Sequence, residues 1–261
     1  MKPMKVAVIN FSGNVGKSTV AKHLLKPRIP EAEFIAVESI NSDEGEGEVV
    51  KGQQFGWLQE QLMMIDSAVV DIGASNVEDF VKLMQQYRGS HEDFDLFVVP
   101  AVKEHKQIKD TIATIQALKS MGVPPKKIRV VYNMLEQDET VEDAFYPLIQ
   151  YQEETKAFTQ RLNAAIDYSE LYQKLRVYRT SVEELIADQT DYKAKLREAK
   201  DQEENSKCVA MISMRRWLSR PRKTLTLFSP PSSNKGGDPW QGLKPHGMRY
   251  SPNSWATWDS C

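Results

Sequence analysis

The chain has 261 residues, of which 41% are hydrophobic and 27% charged, so it can bury a core and is not globally disordered. Its formal net charge of -2 excludes a uniformly basic nucleic-acid-binding surface. The two cysteines, Cys208 and Cys261, exclude a disulfide framework and a four-cysteine metal site. No apolar run approaches the roughly 18 residues that span a bilayer. Residues 1–9 are too short and too lightly flanked by charge for a signal peptide, so we expect a cytoplasmic protein.

Short apolar runs alternate with helical patterns along the first two thirds of the chain. Continuous apolar runs, rather than alternating ones, are typical of strands buried on both faces of a parallel sheet. The predicted strands are residues 5–10, 33–38, 67–71, 95–100, 128–133 and a short one at 164–166. The predicted helices are residues 17–25, 77–87, 106–121, 155–162 and 191–204. This order predicts an α/β, doubly wound, mainly parallel sheet, in which ligands bind beyond the carboxyl ends of the strands.

The composition changes near residue 205. Residues 207–261 contain nine Lys and Arg against two Asp and Glu, and they hold four of the five tryptophans. We therefore predict a domain at residues 1–205 and a basic tail at residues 206–261 that is rich in Pro, Ser, Gly and Trp. The composition leaves three interpretations of the tail open. It is a disordered arm, an ordered or membrane-adhering appendage built on residues 211–218, or non-native coding sequence.

A segment with two glycines links the first predicted strand to the first predicted helix. It reads Asn-Phe-Ser-Gly-Asn-Val-Gly-Lys-Ser-Thr over residues 10–19. Gly13 and Gly16 allow the backbone to curl so that N–H groups point at an anion, and the following helix N-terminus attracts negative charge. In such a loop Lys17 neutralises phosphate charge, and the Ser18 hydroxyl ligates Mg²⁺. The segment therefore predicts a phosphate loop.

The loop departs from the common pattern G-x-x-x-x-G-K-[ST], because Phe11 occupies the position of the first glycine. It resembles the deviant phosphate loop of the ParA/MinD ATPase family, and its amino-acid sequence is similar to that of the StbB-type plasmid stabilisation proteins. The resemblance covers roughly residues 4–190 and implies a P-loop NTPase fold that binds ATP and Mg²⁺. It assigns nucleotide binding to Ser12, Gly13, Asn14, Val15, Gly16, Lys17, Ser18 and Thr19.

Two of these positions differ from the family pattern. Ser12 stands where the family has its signature lysine, and Asn14 replaces a glycine. The family's lysine normally contacts the phosphates of a partner subunit, which a serine cannot do by charge. The resemblance therefore implies an ATPase with weak turnover.

Two acidic residues end predicted strands on the same side of the sheet. Asp71 follows Ala-Val-Val, the Walker B pattern, and would hold Mg²⁺ together with Ser18. Glu38 ends the second strand and resembles the start of the family's switch region. The second acidic position of that region holds Ile40, so Asp43 is the substitute that the sequence offers. With Lys17, Asp71 and Glu38 form the predicted catalytic set.

Asn133 closes the fifth predicted strand and resembles the family's adenine-reading asparagine. A side-chain amide offers one donor and one acceptor group, which match the N7 and the N6 amino group of adenine. The resemblance therefore implies a preference for ATP over GTP.

Three functions remain open on the sequence. The leading one is an ATP-dependent switch that forms a nucleotide-dependent homodimer and changes its affinity for DNA or for a partner protein, in plasmid stability, partition or conjugative transfer. The alternative is a nucleotide-binding regulator with little hydrolysis, which Ser12 and Ile40 favour. A small-molecule kinase is the third, against which stands the lack of an arginine-rich lid segment.

Overall fold

The computed structural model describes residues 3–29, 31–37, 47–199 and 201–218. Its centre is a sheet of six strands, all parallel, in the order β2-β3-β1-β4-β5-β6. The strands are β1 (Lys5–Val8), β2 (Glu33–Val37), β3 (Ala68–Ile72), β4 (Leu96–Ala101), β5 (Ile128–Leu135) and β6 (Ala165–Asp167). Because the chain builds outward from β1 in both directions, the predicted doubly wound α/β fold is confirmed.

Helices cover both faces of this sheet. They are α1 (Lys17–Thr19), α2 (Gly47–Met64), α3 (Val77–Gln86), α4 (His105–Ser120), α5 (Val141–Ala144), α6 (Tyr146–Thr155), α7 (Leu171–Val177), α8 (Val182–Ala187), α9 (Tyr192–Glu198) and α10 (Gln202–Leu218). A π-helical segment, Val20–Leu25, continues α1.

The central strands are apolar on both sides because both sides are buried, whereas the edge strand β2 is partly exposed along its length. Along β1, Ala7 packs into the cluster under α2, α3 and α4, whereas Val6 and Val8 pack into the cluster under the π-helical segment. Strands β3 and β4 are buried at every position. This is why continuous apolar runs predicted the strands correctly.

Two predicted helices were placed wrongly. Residues 156–162 are not helical; the helix in this region is α6, which ends before Lys156, a residue in the left-handed conformation with φ 50°. The helix predicted at 191–204 is broken into α9 and α10, and the Asp201 carboxylate accepts a hydrogen bond from the N–H of Glu204 at 2.8 Å at the start of α10. An aspartate in this position starts a new helix rather than continuing one.

Helix α10 crosses the boundary predicted near residue 205. Its Met211 and Met214 are buried in a cluster with Leu171 and Leu185 from α7 and α8. The described part of the fold therefore includes residues 206–218. The division of the chain into two domains stays a prediction, and residues 219–261 lie outside the described residues.

Candidate functional site

The predicted phosphate loop lies between β1 and α1, at the carboxyl edge of the sheet. Gly16 has φ 85° and Asn14 has φ 59°, both in the left-handed region. Asparagine adopts this conformation more readily than other non-glycine residues, so Asn14 can hold it without being glycine. These two left-handed residues curl the backbone immediately before the helix N-terminus.

Lys17 folds back onto its own loop. Its Nζ donates hydrogen bonds to the carbonyl oxygens of Asn10 at 3.0 Å and Ser12 at 2.7 Å. The residue is 7% exposed, and this burial lowers the pKa of the ammonium group from 10.5 to about 8, an effect that the nearby Asp71 carboxylate opposes. The loop thus holds a cation whose charge is costly in the absence of an anion.

The other predicted loop residues divide into buried and accessible ones. Ser12 and Val15 are buried at 5% and 1% exposure, and Thr19 is half-buried. Gly13, Asn14 and Ser18 are exposed. The Ser12 side chain therefore lies inside the protein rather than on a surface that a second subunit would contact directly.

Asn10 and helix α4 hold the start of the loop, a feature that the sequence analysis missed. The Asn10 Nδ2 donates to the Pro100 carbonyl and to the Thr111 Oγ1, each at 2.8 Å, and its Oδ1 accepts from the Ser12 N–H at 2.8 Å. The Phe11 N–H donates to the Thr114 Oγ1 at 3.0 Å. A signal for these contacts was present in the sequence, because two threonines lie on the otherwise apolar face of α4.

Asp71 lies near the end of the strand next to the one that leads into the loop. It is paired in register with Val8 at the end of β1 and is 4% exposed. Helix α1 contacts β3, so the Ser18 hydroxyl and the Asp71 carboxylate belong to adjoining elements. Mg²⁺ in nucleotide sites takes one or two protein oxygens beside phosphate oxygens and waters. A hydroxyl and a carboxylate are oxygen ligands of the kind that such an ion takes.

The loop after Asp71 is tied to the end of β2. The Val37 carbonyl accepts hydrogen bonds from the Gly73 N–H at 3.2 Å and from the Asn76 Nδ2 at 2.9 Å. These contacts connect the loop after Asp71 to the end of β2, where the predicted switch region begins. Glu38, Ile40 and Asp43 lie outside the described residues.

Asn133 lies against the phosphate loop. It is 4% exposed, and its Nδ2 donates to the Val15 carbonyl at 2.9 Å. Gly16 packs so close to it that a Cβ atom added there would overlap the Asn133 amide. The structure thus gives Asn133 a contact with the loop, and its role in reading adenine stays a prediction.

Two lysines outside the loop, Lys103 and Lys174, each lie close to a carboxylate. Lys103, which follows β4, forms an ion pair with Glu139 at 2.7 Å. On α7, Lys174 lies 3.8 Å from Glu170 and donates to the Ser213 hydroxyl at 3.1 Å. Both lysines therefore have an acidic partner close by.

Within the part of the chain that the structure describes, no group of three or more His, Cys, Asp or Glu side chains is placed to hold a metal ion. A search over the same residues finds no helix with the length and apolar character needed to cross a membrane.

The sequence matches no protein-family model and no curated protein. Among solved structures, it is similar to McdA of Cyanothece without nucleotide, at 13% identity and a TM-score of 0.47, over 81% of this chain and 98% of that chain. A candidate plasmid partition protein of Borrelia burgdorferi B31, bound to AMPPNP, is 9% identical with a TM-score of 0.45, over 83% of this chain and 100% of that chain. The pnob8 ParA protein is 12% identical with a TM-score of 0.32, over 81% and 94% of the two chains.

A ParA protein is among the solved structures with this similarity. These similarities identify neither a ligand nor an activity. The functional argument therefore rests on the site itself.

Proposed function

We propose that this chain is a ParA/MinD-type switch protein that binds ATP and Mg²⁺ and hydrolyses ATP slowly. The observation that carries the proposal is the buried Lys17 ammonium group, held by two loop carbonyls at the N-terminus of α1 and acted on by Asp71. A buried cation at a helix N-terminus, inside a loop with two left-handed residues, is an arrangement suited to a polyphosphate.

The roles of the other residues follow from their places around Lys17. The exposed Ser18 hydroxyl and the Asp71 carboxylate would hold the Mg²⁺ ion, which neutralises phosphate charge. The backbone from Gly13 to Thr19 would surround the phosphates. Asn133 would contact the base in addition to the loop, and Glu38 would act in the switch region; both assignments rest on the family resemblance.

The biological setting follows from the same resemblance. We propose that nucleotide binding promotes a homodimer and alters affinity for a partner protein or for DNA in plasmid stability, partition or conjugative transfer. The similarity to StbB-type proteins is the ground for this narrower setting. A cytoplasmic location fits such a role.

A nucleotide-binding regulator with little hydrolysis is the second candidate, and the position of Ser12 favours it. Ser12 is buried, and its carbonyl already accepts a hydrogen bond from Lys17. Neither the Ser12 side chain nor its carbonyl supplies a positive charge to the phosphates of a second subunit. Little hydrolysis would then occur even when nucleotide is bound.

Calorimetric titration with Mg²⁺ and a non-hydrolysable ATP analogue tests the binding. We expect Lys17→Ala to lose binding by a factor of about ten to a hundred, because charge-assisted hydrogen bonds contribute about 1.5–3 kcal/mol. The matched control is Lys119→Ala, which removes an exposed lysine at the far end of α4. Equal affinities in Lys17→Ala and the wild type would contradict the phosphate-loop assignment.

Phosphate release from ATP, measured with and without DNA, separates the two candidates. Measurable release that Lys17→Ala abolishes supports the switch, whereas tight binding without release supports the regulator. Sedimentation with the same analogue tests the homodimer, since a nucleotide-dependent increase in mass is expected for the switch and none for a monomeric regulator.

A further inference from the structure

We propose that Thr111 and Thr114 of α4 are positioning residues for the phosphate loop, a role that builds on the proposed nucleotide binding. Both side chains are 0% exposed although each carries a hydroxyl group. They lie one turn apart on the face of α4 that meets the loop. Their Oγ1 atoms accept hydrogen bonds from the Asn10 side chain at 2.8 Å and from the Phe11 N–H at 3.0 Å.

The helix fixes the direction of both hydroxyl groups. The Thr111 Oγ1 donates to the Gln107 carbonyl at 2.7 Å, and the Thr114 Oγ1 donates to the Asp110 carbonyl at 2.7 Å. A hydroxyl has one hydrogen to donate, so each is left with lone pairs on the side of the loop. α4 therefore presents two acceptors to the loop, and they match two N–H donors at its start.

These contacts divide the loop into two parts. The side-chain amide of Asn10 and the backbone N–H groups of Phe11 and Ser12 all donate hydrogen bonds to protein acceptors. They are not available to a phosphate, so the anion must be bound by the part that begins at Gly13. The division also accounts for Phe11 in place of the usual first glycine, because the backbone there is directed at α4 rather than at the anion.

The position of α4 consequently determines where the phosphate-binding part begins. Lys17 bonds to the carbonyls of Asn10 and Ser12, which belong to the part that α4 holds. Loss of a threonine hydroxyl leaves a buried donor without its acceptor, which the loop can relieve only by moving. Movement at Asn10 or Phe11 displaces both carbonyls that hold the Lys17 ammonium group.

Substitution of each threonine by valine, which has nearly the same shape, tests the proposal. With Mg²⁺ and a non-hydrolysable ATP analogue, we expect Thr111→Val and Thr114→Val each to weaken binding about tenfold, as the loss of one buried hydrogen bond predicts. Thr111→Ser and Thr114→Ser keep the acceptor and should return the affinity toward that of the wild type. Ile115→Val is the control, because Ile115 is a buried residue of α4 outside these contacts.

Amide hydrogen exchange without nucleotide gives a readout that does not depend on binding. We expect exchange at residues 10–17 to be faster in the valine variants than in the wild type and in Ile115→Val. Folded valine variants with unchanged affinity and unchanged exchange would overturn the proposal, as would an equal loss of affinity in Ile115→Val. A wild-type chain that binds no nucleotide would instead refute the proposed function, and the exchange experiment would still decide the role of the threonines.

Discussion

At the scale of single residues, Lys17 links nucleotide binding to pH. Burial lowers the pKa of its ammonium group to about 8 in the free protein, and a bound polyphosphate would raise that pKa again. Below about pH 8 the lysine is already charged, so affinity should be constant. Above this pH each binding event must take up a proton, and affinity should fall by up to about tenfold per pH unit.

Titration with the analogue between about pH 7.5 and 9.5 measures this dependence. Lys17→Ala is the control, since its weak binding should show no such inflection. The same pKa shift also affects stability, but in the opposite direction: as the pH rises above about 8, nucleotide affinity falls whereas the free energy of unfolding increases. The unfolded chain binds the proton up to about pH 10.5, so the folding penalty from Lys17 is complete below pH 8 and is relieved between pH 8 and 10.5. A flat binding profile would contradict the assignment of Lys17 as the phosphate-binding cation.

Gly16 allows a second prediction with a matched control. Alanine at Gly16 meets two costs, a left-handed φ of 85° and a clash with Asn133, whereas alanine at Gly89 meets only a φ of 89° with no atom within 4 Å. We expect Gly89→Ala to lower the free energy of unfolding by about 1–2 kcal/mol. Gly16→Ala should lose more than this and should also lose nucleotide binding. Chemical denaturation and calorimetry measure the two effects, and equal stability losses would show that the clash is absent.

The third prediction concerns the role of Asn133. In Asn133→Asp a carboxylate oxygen replaces the Nδ2 that donates to the Val15 carbonyl, so two acceptors face each other. We expect binding of both nucleotides to weaken about tenfold through the loop, and that of ATP to weaken further, because the base contact proposed for the Asn133 amide is lost. Competition binding measures the two affinities. An unchanged ratio of ATP to GTP affinity would indicate that Asn133 acts through the loop alone.

The sequence predicted the residues of the site that belong to local motifs and missed those that do not. Lys17 follows β1 by fewer than ten residues, and Asp71 ends an apolar run. Both residues are therefore recognisable from their neighbours in the chain. The Asn10–Thr111 contact joins residues 101 positions apart. No local pattern reports such a contact, although polar residues on an apolar helix face indicate that some partner is present.

At the scale of elements, the carboxyl-terminal helices depend on one small cluster. Met214 of α10 is 0% exposed and packs with Leu171, Leu175 and Leu185. We expect Met214→Ala to lower the free energy of unfolding by about 2–4 kcal/mol, because it leaves a cavity. Val209→Ala is the control on the same helix, since Val209 is 53% exposed, and it should change stability by less than about 0.5 kcal/mol. Denaturant unfolding compares the two, and a similar effect of both would contradict the packing of α10.

The helices were harder to predict than the strands for a physical reason. Strands β3 and β4 are buried at every position and read as nearly continuous apolar runs. Helix α2 contains glycines at positions 47, 52 and 56, which weaken the helical signal although Phe55, Leu58 and Leu62 are buried. Tertiary packing stabilises this helix against its own intrinsic preference.

At the scale of the whole molecule, the cluster around Met214 determines where the chain can be shortened. A chain ending at residue 205 lacks Met211 and Met214, and it also lacks Arg215, which forms an ion pair with Asp188 at 3.2 Å. We expect it to unfold at a temperature several degrees lower than a chain ending at Leu218. Thermal unfolding of the two chains measures the difference. Equal midpoints would support the boundary that composition predicted near residue 205.

The contact between the phosphate loop and α4 also limits how this protein can be engineered. Phe11 and Asn10 donate to Thr114 and Thr111, so the loop and the helix form one matched pair of parts. A transplanted loop that lacks asparagine at position 10 would leave the Thr111 Oγ1 without its side-chain donor, whereas Thr114 would still accept from the backbone N–H of residue 11. Exchange of the loop alone would therefore leave hydrogen-bonding groups without partners. Exchange of the loop together with positions 111 and 114 would transfer the donors and the acceptors together.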